Sequence, residues 1–200
     1  MGDEGSVFRL VCPPQYDARG GRPCDYYPTP SWCVEALLRR CPPPAGLSIV
    51  EPSAGEGAIV RACTAMGRPV ALAVELREEC RPALMALPIG EVLIGDWLRL
   101  AHVVGDCHAI VGNPPYTIAE SFVRACLGSR APYVALLLPL GFLASAERAP
   151  FWAAHPVVRM IVLSRRPSFS GDGKTDGTDY AWMIWGDMER GIEWALLGEM

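Results

Sequence analysis

Ile110-Val111-Gly112-Asn113-Pro114-Pro115-Tyr116 begins as an apolar run and ends in a carboxamide, two prolines and an aromatic ring. The β-branched and apolar residues of 109–111 stop abruptly at a glycine, which predicts a buried strand with a functional turn at its carboxyl end. Two successive prolines fix φ and remove two backbone donors, so their carbonyls are expected to stay outside any ladder and accept other hydrogen bonds. The Asn113 side chain adds one more acceptor, and Tyr116 adds a flat apolar face. Two acceptors and a stacking surface suit an amino group carried on a planar ring.

An earlier strand has a matching end. Residues 47–50 are apolar, Glu51-Pro52-Ser53-Ala54-Gly55-Glu56-Gly57 forms a glycine turn, and 58–66 has the spacing of a helix. Strand, glycine turn and helix start form an anion- or carboxylate-binding layout, because glycine allows close backbone approach and the helix start offers free N–H groups. The dinucleotide fingerprint is excluded, since its third glycine would fall at Val60. A second strand, 70–74, ends at Glu75, where an acid can accept both hydroxyls of a ribose. A helix over 77–87 and a third strand over 92–94 follow, the latter ending in Gly95-Asp96-Trp97. Upstream, Asp25-Tyr26-Tyr27-Pro28-Thr29-Pro30-Ser31 reads as an extended stretch, with Ser31 or Thr29 expected to cap a helix over 32–40.

Downstream, the pattern predicts a helix over 118–127, a nearly continuous apolar strand over 133–138, and a helix over 145–154 interrupted by Pro150. Strands over 157–163 and 180–185 flank a loop over 164–179. Within that loop, Gly171-Asp172-Gly173-Lys174-Thr175 imitates the end of a nucleotide-binding Walker loop. Ser168 stands where its first glycine belongs and no helix follows, so triphosphate hydrolysis is excluded. The expected fold is α/β: a seven-stranded, doubly wound sheet with the last strand antiparallel and the site at the carboxyl ends of the strands.

Across 25–186, these motifs resemble the amino-methyltransferases that carry Asn/Asp-Pro-Pro-Tyr/Phe and methylate adenine N6, cytosine N4 or a glutamine side-chain nitrogen. Their order is similar to that of the γ-type, phage-like DNA adenine-N6 methyltransferases, which implies the Rossmann-like class I fold and S-adenosylmethionine as cofactor. The resemblance implies that Tyr27, Thr29, Pro30, Glu51, Pro52, Ser53, Gly55 and Gly57 hold the cofactor, with Glu75 and Leu76, Asp96 and Trp97, and Asn113. Asp96 has a plainer role open to it, capping the next turn. The catalytic set would be Asn113, Pro114, Pro115 and Tyr116. Tyr116 and Phe169 would hold the target base, the plainer alternative for Phe169 being a loop aromatic tucked into the core. Arg165, Arg166 and Lys174 would meet nucleic-acid phosphates near Asp172 and Asp176, which dilute their field. No metal enters this scheme.

Bulk properties set the outer bounds. The 200 residues are 50% hydrophobic with a net charge of −4, and mean hydropathy is +0.19 with a pI near 5.4. A folded chain is implied, and a broad basic surface for nucleic acid is excluded. The first residues carry Asp3 and Glu4 without an apolar run, so a secretory leader is not expected. The longest apolar segment is broken by Pro139 and Gly141 and falls short of the roughly 20 residues a membrane helix needs. A soluble, cytoplasmic chain is the expectation. Eight cysteines at irregular spacing read as reduced, buried thiols. The expected organisation is an N-terminal arm over 1–24 and one methyltransferase domain over 25–200, without a separate target-recognition domain. DNA is the expected partner. RNA or a protein glutamine is the alternative target, and a protein partner or second copy could supply recognition to a subunit inactive alone.

Overall fold

In the computed structural model the described residues are 27–103, 108–170, 174–175 and 177–195. The expected arm over 1–24, Cys107 and residues 171–173 lie outside them.

Strand β1 (Ser48–Glu51) leads through the glycine turn into α2 (Ala58–Ala65), after the opening helix α1 (Ser31–Arg40). Strand β2 (Val70–Glu75), the short helix α3 (Arg81–Met85) and β3 (Glu91–Ile94) complete the first half. The second half runs α4 (Trp97–Leu100), β4 (His108–Gly112), α5 (Ala119–Gly128), β5 (Tyr133–Pro139), α6 (Ala149–Ala154), β6 (Arg159–Leu163), β7 (Tyr180–Gly186) and β8 (Gly191–Ala195). The eight strands form one sheet in the order β3-β2-β1-β4-β5-β7-β6-β8. Chain direction reverses its march across the sheet between β1 and β4, which pair in parallel. Their carboxyl ends therefore open onto the crevice where such sheets bind ligands.

Core composition follows from the two-sided cover. In β5 the side chains of Tyr133, Ala135 and Leu137 enter one core with α1 and α2, and those of Val134, Leu136 and Leu138 enter the other with α5 and α6. A strand buried on both faces reads as an unbroken apolar run, which is how 133–138 reads. Each fully buried side chain of this size is worth about 1.5–3 kcal/mol, so β5 is the energetic centre of the sheet. Two polar ties lock α1 against it: Trp182 Nε1 donates to the Cys33 carbonyl at 2.6 Å, and the Tyr133 hydroxyl donates to the Cys41 carbonyl.

Four expectations are corrected. The described residues form eight strands and not seven, the added one being β8, which pairs in parallel with β6; the seventh, over 180–185, is antiparallel as expected. The antiparallel strand is β7, inserted between β5 and β6. Strand β8 is held by that register and by Glu193, which pairs with Arg159 and lies 3.5 Å from Arg40. Helix α1 has Pro30 at its N-cap and no side-chain cap, because the Thr29 hydroxyl is used elsewhere. The expected helix over 77–87 is a 3-10 turn, Glu78–Cys80, followed by the five residues of α3. Pro150 begins α6 and does not interrupt it; at the first turn its missing N–H has no partner to lose.

Among the described residues, no helix is long and apolar enough to cross a membrane. Cys33, Cys41, Cys63, Cys80 and Cys126 are free thiols. Burial pushes the Cys80 thiol up to about 11, so it is protonated near neutral pH. Cys12, Cys24 and Cys107 lie outside the described residues.

Candidate active site

The glycine turn is shaped by backbone first. Gly55 and Gly57 have φ of +55° and +84°, a region that costs an L side chain strain. A Cβ on Gly57 would lie 2.3 Å from Leu87 Cδ1, so a side chain there would have to displace the Leu87 methyl group as well as hold a left-handed backbone. The turn is then tied to β2. Ala54 N–H donates to the Val74 carbonyl at 2.9 Å, and Gly55 N–H donates to Glu75 Oε2 at 2.6 Å.

Two carboxylates at the strand tips differ in their surroundings. Glu75 is 5% exposed, and its Oε1 accepts from the Arg77 backbone N–H at 3.0 Å and from Arg77 Nε at 2.9 Å. Glu51 is 1% exposed, and its Oε2 has no hydrogen-bond partner among the described residues. Burial, followed by the nearby charge of Glu75, pushes the Glu51 carboxyl well above the usual carboxylate range, against a bond from the Val60 N–H. A buried acid with an orphaned oxygen at a strand tip suits a cationic or N–H-bearing ligand.

Along the same rim, Asp96 caps α4, its Oδ1 accepting from the Leu98 N–H at 3.0 Å. Trp97 sits in the core, stacked on Phe122 at 6.2 Å. Leu76 and Leu98 are exposed apolar side chains on either side of that turn.

The Asn-Pro-Pro-Tyr turn is pressed against the glycine turn. A Cβ on Gly112 would lie 2.9 Å from Pro52 Cδ, and the Ser53 hydroxyl donates to the Asn113 carbonyl at 3.0 Å. The Pro115 carbonyl accepts the Ile118 N–H at 3.2 Å. It is therefore committed to the turn before α5, contrary to the expectation that both proline carbonyls stay available. The Asn113 side chain is held at both ends. Its Nδ2 donates to the Tyr27 carbonyl at 3.2 Å and to Thr29 Oγ1 at 3.1 Å. Its Oδ1 accepts from the Tyr116 hydroxyl at 2.6 Å and keeps a second lone pair. Tyr27 and Thr29 thus reach this turn from the extended segment before α1, while the Pro30 carbonyl accepts the Cys33 N–H.

Four rings close a circuit beside that carboxamide. Tyr27 stacks on Tyr116 with centroids 5.9 Å apart and planes 16° apart, and meets Phe169 edge-on at 5.6 Å. Tyr180 meets Tyr116 at 5.6 Å and Phe169 at 5.2 Å. Phe169 is 6% exposed. Of the expected phosphate contacts, Arg165 lies over the Trp32 ring at 4.5 Å, and Arg166 pairs with Asp179 at 2.8 Å. Lys174 is described, but Asp172 and Asp176 are not. Sequence reasoning missed the Tyr27 ring as a neighbour of Tyr116, and the signal was available in the aromatic pair Tyr26-Tyr27 ahead of Thr29.

The sheet order, the parallel switch between β1 and β4 and the inserted antiparallel β7 define the Rossmann-like fold of the class I methyltransferases. The chain is similar to a Listeria monocytogenes protein described as a class I S-adenosylmethionine-dependent methyltransferase, at 14% identity and a TM-score of 0.58, over 88% of this chain and 67% of that one. It is similar to the methyltransferase subunit of a type I restriction-modification system from Streptococcus thermophilus, at 16% identity and a TM-score of 0.57, over 80% of this chain and 45% of that one. An Agrobacterium tumefaciens protein described as an O-methyltransferase gives 17% identity and a TM-score of 0.56, over 83% of this chain and 85% of that one. The chain thus spans less than half the length of the restriction-modification subunit. No protein-family model and no curated protein matches the sequence. Neighbours described as an O-methyltransferase and as a restriction-modification methyltransferase subunit share this fold, so the acceptor must be argued from the site.

Proposed function

We propose that this chain transfers a methyl group from S-adenosylmethionine to the N6 amino group of adenine in DNA. The observation that carries this reading is the Asn113 carboxamide, fixed by Tyr27, Thr29 and Tyr116 beside a set of aromatic rings. When bound, S-adenosylmethionine supplies an electrophilic methyl on a sulfonium, which passes to the amine nitrogen as the sulfur keeps the bonding electron pair.

The residues present fit that cofactor. The orphaned Glu51 Oε2 suits an ammonium group, and the left-handed backbone of Gly55 and Gly57 shapes the turn beside it. Pro52 and Ser53 lie in the same turn and touch Gly112 and the Asn113 carbonyl, and Tyr27 and Thr29, ahead of Pro30, meet the Asn113 carboxamide across from them. Glu75 would accept ribose hydroxyls beside its present bonds to Gly55 and Arg77, with Leu76 next to it, and Asp96 with the backbone of Trp97 would face the adenine end. Asp96 would serve there while capping α4.

The adenine amine is a poor nucleophile because its lone pair is delocalised into the ring. Asn113 Oδ1 and the Pro114 carbonyl would accept its two N–H bonds, draw it towards tetrahedral geometry and stabilise charge as it develops. Pro115 fixes the turn, and Tyr116 and Phe169 hold the two faces of the base once it leaves the stack. The methylated nitrogen then loses its proton to water. Arg165, Arg166 and Lys174 would reach phosphates only by exchanging present partners such as Trp32 and Asp179. We therefore assign recognition of a long site to a protein partner or a second copy.

Labelled methyl transfer to DNA, RNA and protein pools, followed by nucleoside analysis, tests the reading. N6-methyladenine in DNA supports it. Label in RNA adenine or in a glutamine would replace the substrate, and absence of transfer by the chain alone, restored by a partner, would make it a subunit.

A further inference from the structure

Methyl transfer as described uses the Tyr27 carbonyl but gives its ring no task. That ring is 40% exposed, yet its plane lies within 16° of the Tyr116 plane, the orientation a stacked base would take. It also meets Phe169, edge-on at 5.6 Å. Tyr180, 2% exposed, joins the same two rings from the buried side. Tyr116 and Phe169 are thus bridged below by Tyr180 and on the solvent side by Tyr27. The backbone beneath the ring is anchored through the Tyr27 carbonyl and Thr29, both bonded to Asn113 Nδ2. A ring can therefore swing about its side-chain bonds while the segment that orients Asn113 stays in place.

We propose that the Tyr27 ring is the resident occupant of the target clamp and a specificity-determining residue, which any flat target must displace. The identity of the target as adenine rests on the function proposed above; the place of the ring does not. A competing occupant lowers apparent affinity by the fraction of molecules in which it has moved aside. Targets already out of a duplex stack are favoured, because they do not add the cost of unpairing to the cost of displacing Tyr27.

The test uses the full chain as wild type, Tyr27→Ala and Tyr27→Phe, with melting curves to verify folding. The probe is the deoxynucleoside of 2-aminopurine, titrated by fluorescence. Loss of the ring should tighten binding about tenfold, given two aromatic contacts to release. Tyr27→Phe keeps the ring and should match wild type. Equal or weaker binding by Tyr27→Ala overturns the proposal, as does tightening by Tyr27→Phe to the same degree. If no form binds the nucleoside, the adenine reading falls, and the comparison is repeated with a glutamine-containing peptide. Tighter binding by Tyr27→Ala there keeps Tyr27 as the occupant, and anything else ends the proposal.

Discussion

The two sides of the crevice at β1 and β4 are built on opposite principles. On the glycine-turn side, backbone N–H groups and the Glu75 carboxylate already satisfy one another, and among the described residues the Glu51 Oε2 is a buried side-chain oxygen left over. On the Asn-Pro-Pro-Tyr side, the groups proposed for chemistry are filled by the protein's own side chains: a phenol on Asn113 Oδ1 and a ring on Tyr116. The first side is a fixed mould with one electrostatic vacancy to be matched. The second is a set of contacts that a ligand must exchange. Substitutions on the two sides should therefore separate binding of cofactor from turnover of target.

Asn113→Ala should break the comparison most sharply. It removes an acceptor that matters most as charge develops on the amine, and loss of one such group costs about a hundredfold or more in turnover. Affinity for S-adenosylhomocysteine should change little, since Asn113 faces the ring side. Calorimetry in which cofactor affinity falls in step with activity would show that the two sides are one unit, with Asn113 serving as scaffold between Ser53 and Thr29.

Phe169→Ala acts on the ring side and on the core together, because Phe169 packs on Tyr27 and Tyr180 while nearly buried. Truncating a buried phenylalanine costs about 3 kcal/mol of stability. Losing one stacking face should slow single-turnover methylation of a duplex by roughly tenfold, with partial rescue on unpaired substrate. Phe169→Trp keeps a ring and should retain much of the rate. A destabilised Phe169→Ala with unchanged duplex rates would make the ring a core element and leave the clamp to Tyr116 and Tyr180.

Gly57→Ala probes the mould. A methyl group at φ of +84° meets both backbone strain and Leu87, so a loss of about 2 kcal/mol is expected in urea unfolding. Adding Leu87→Ala should remove the clash and leave the strain. If the double variant is no more stable than Gly57→Ala, the backbone conformation carries the whole effect.

What could be read in the sequence was local. The strand ends at Glu51, Glu75 and Gly112, the glycine turn and the buried run of β5 are patterns over a few residues, and the structure has them at nearly the same bounds. The doubly wound class followed from their alternation. Features set by distant partners could not be read. Tyr27 meets Asn113 across 86 positions, and the choice of Thr29 to bond Asn113 rather than cap α1 depends on β4 being beside it. Strand β8 alternates Ile192, Glu193 and Trp194, a usable signal, but its place beside β6 is decided by Arg159 and the register. The shortened α3 was legible in part, since Pro82 suits a first helical turn and Pro88 stops the helix soon after.

Glu51→Gln offers the smallest effect and the cleanest sign. Burial first, then the charge of Glu75, raises the folded-state carboxyl well above its ordinary value of 4.5. The native chain therefore keeps a proton that the unfolded chain releases once pH passes that value. The slope of unfolding free energy with pH follows protons bound when unfolded minus protons bound when native, which is negative here. Wild-type stability should thus fall as pH rises from about 4.5, by at most about 1.4 kcal/mol per pH unit from this group, and level off above the raised value. Glu51→Gln lacks that slope, so melting curves of the two forms should converge or cross as pH rises. The same carboxyl gives the mould its charge. If it meets the cofactor ammonium, binding of S-adenosylhomocysteine should release a proton, and affinity should climb with pH in wild type but not in Glu51→Gln. Calorimetry in two buffers of different ionisation enthalpy reads that proton directly. Identical pH dependence in both forms would mean that Glu51 is buried for packing alone and that the vacancy on this side is not electrostatic.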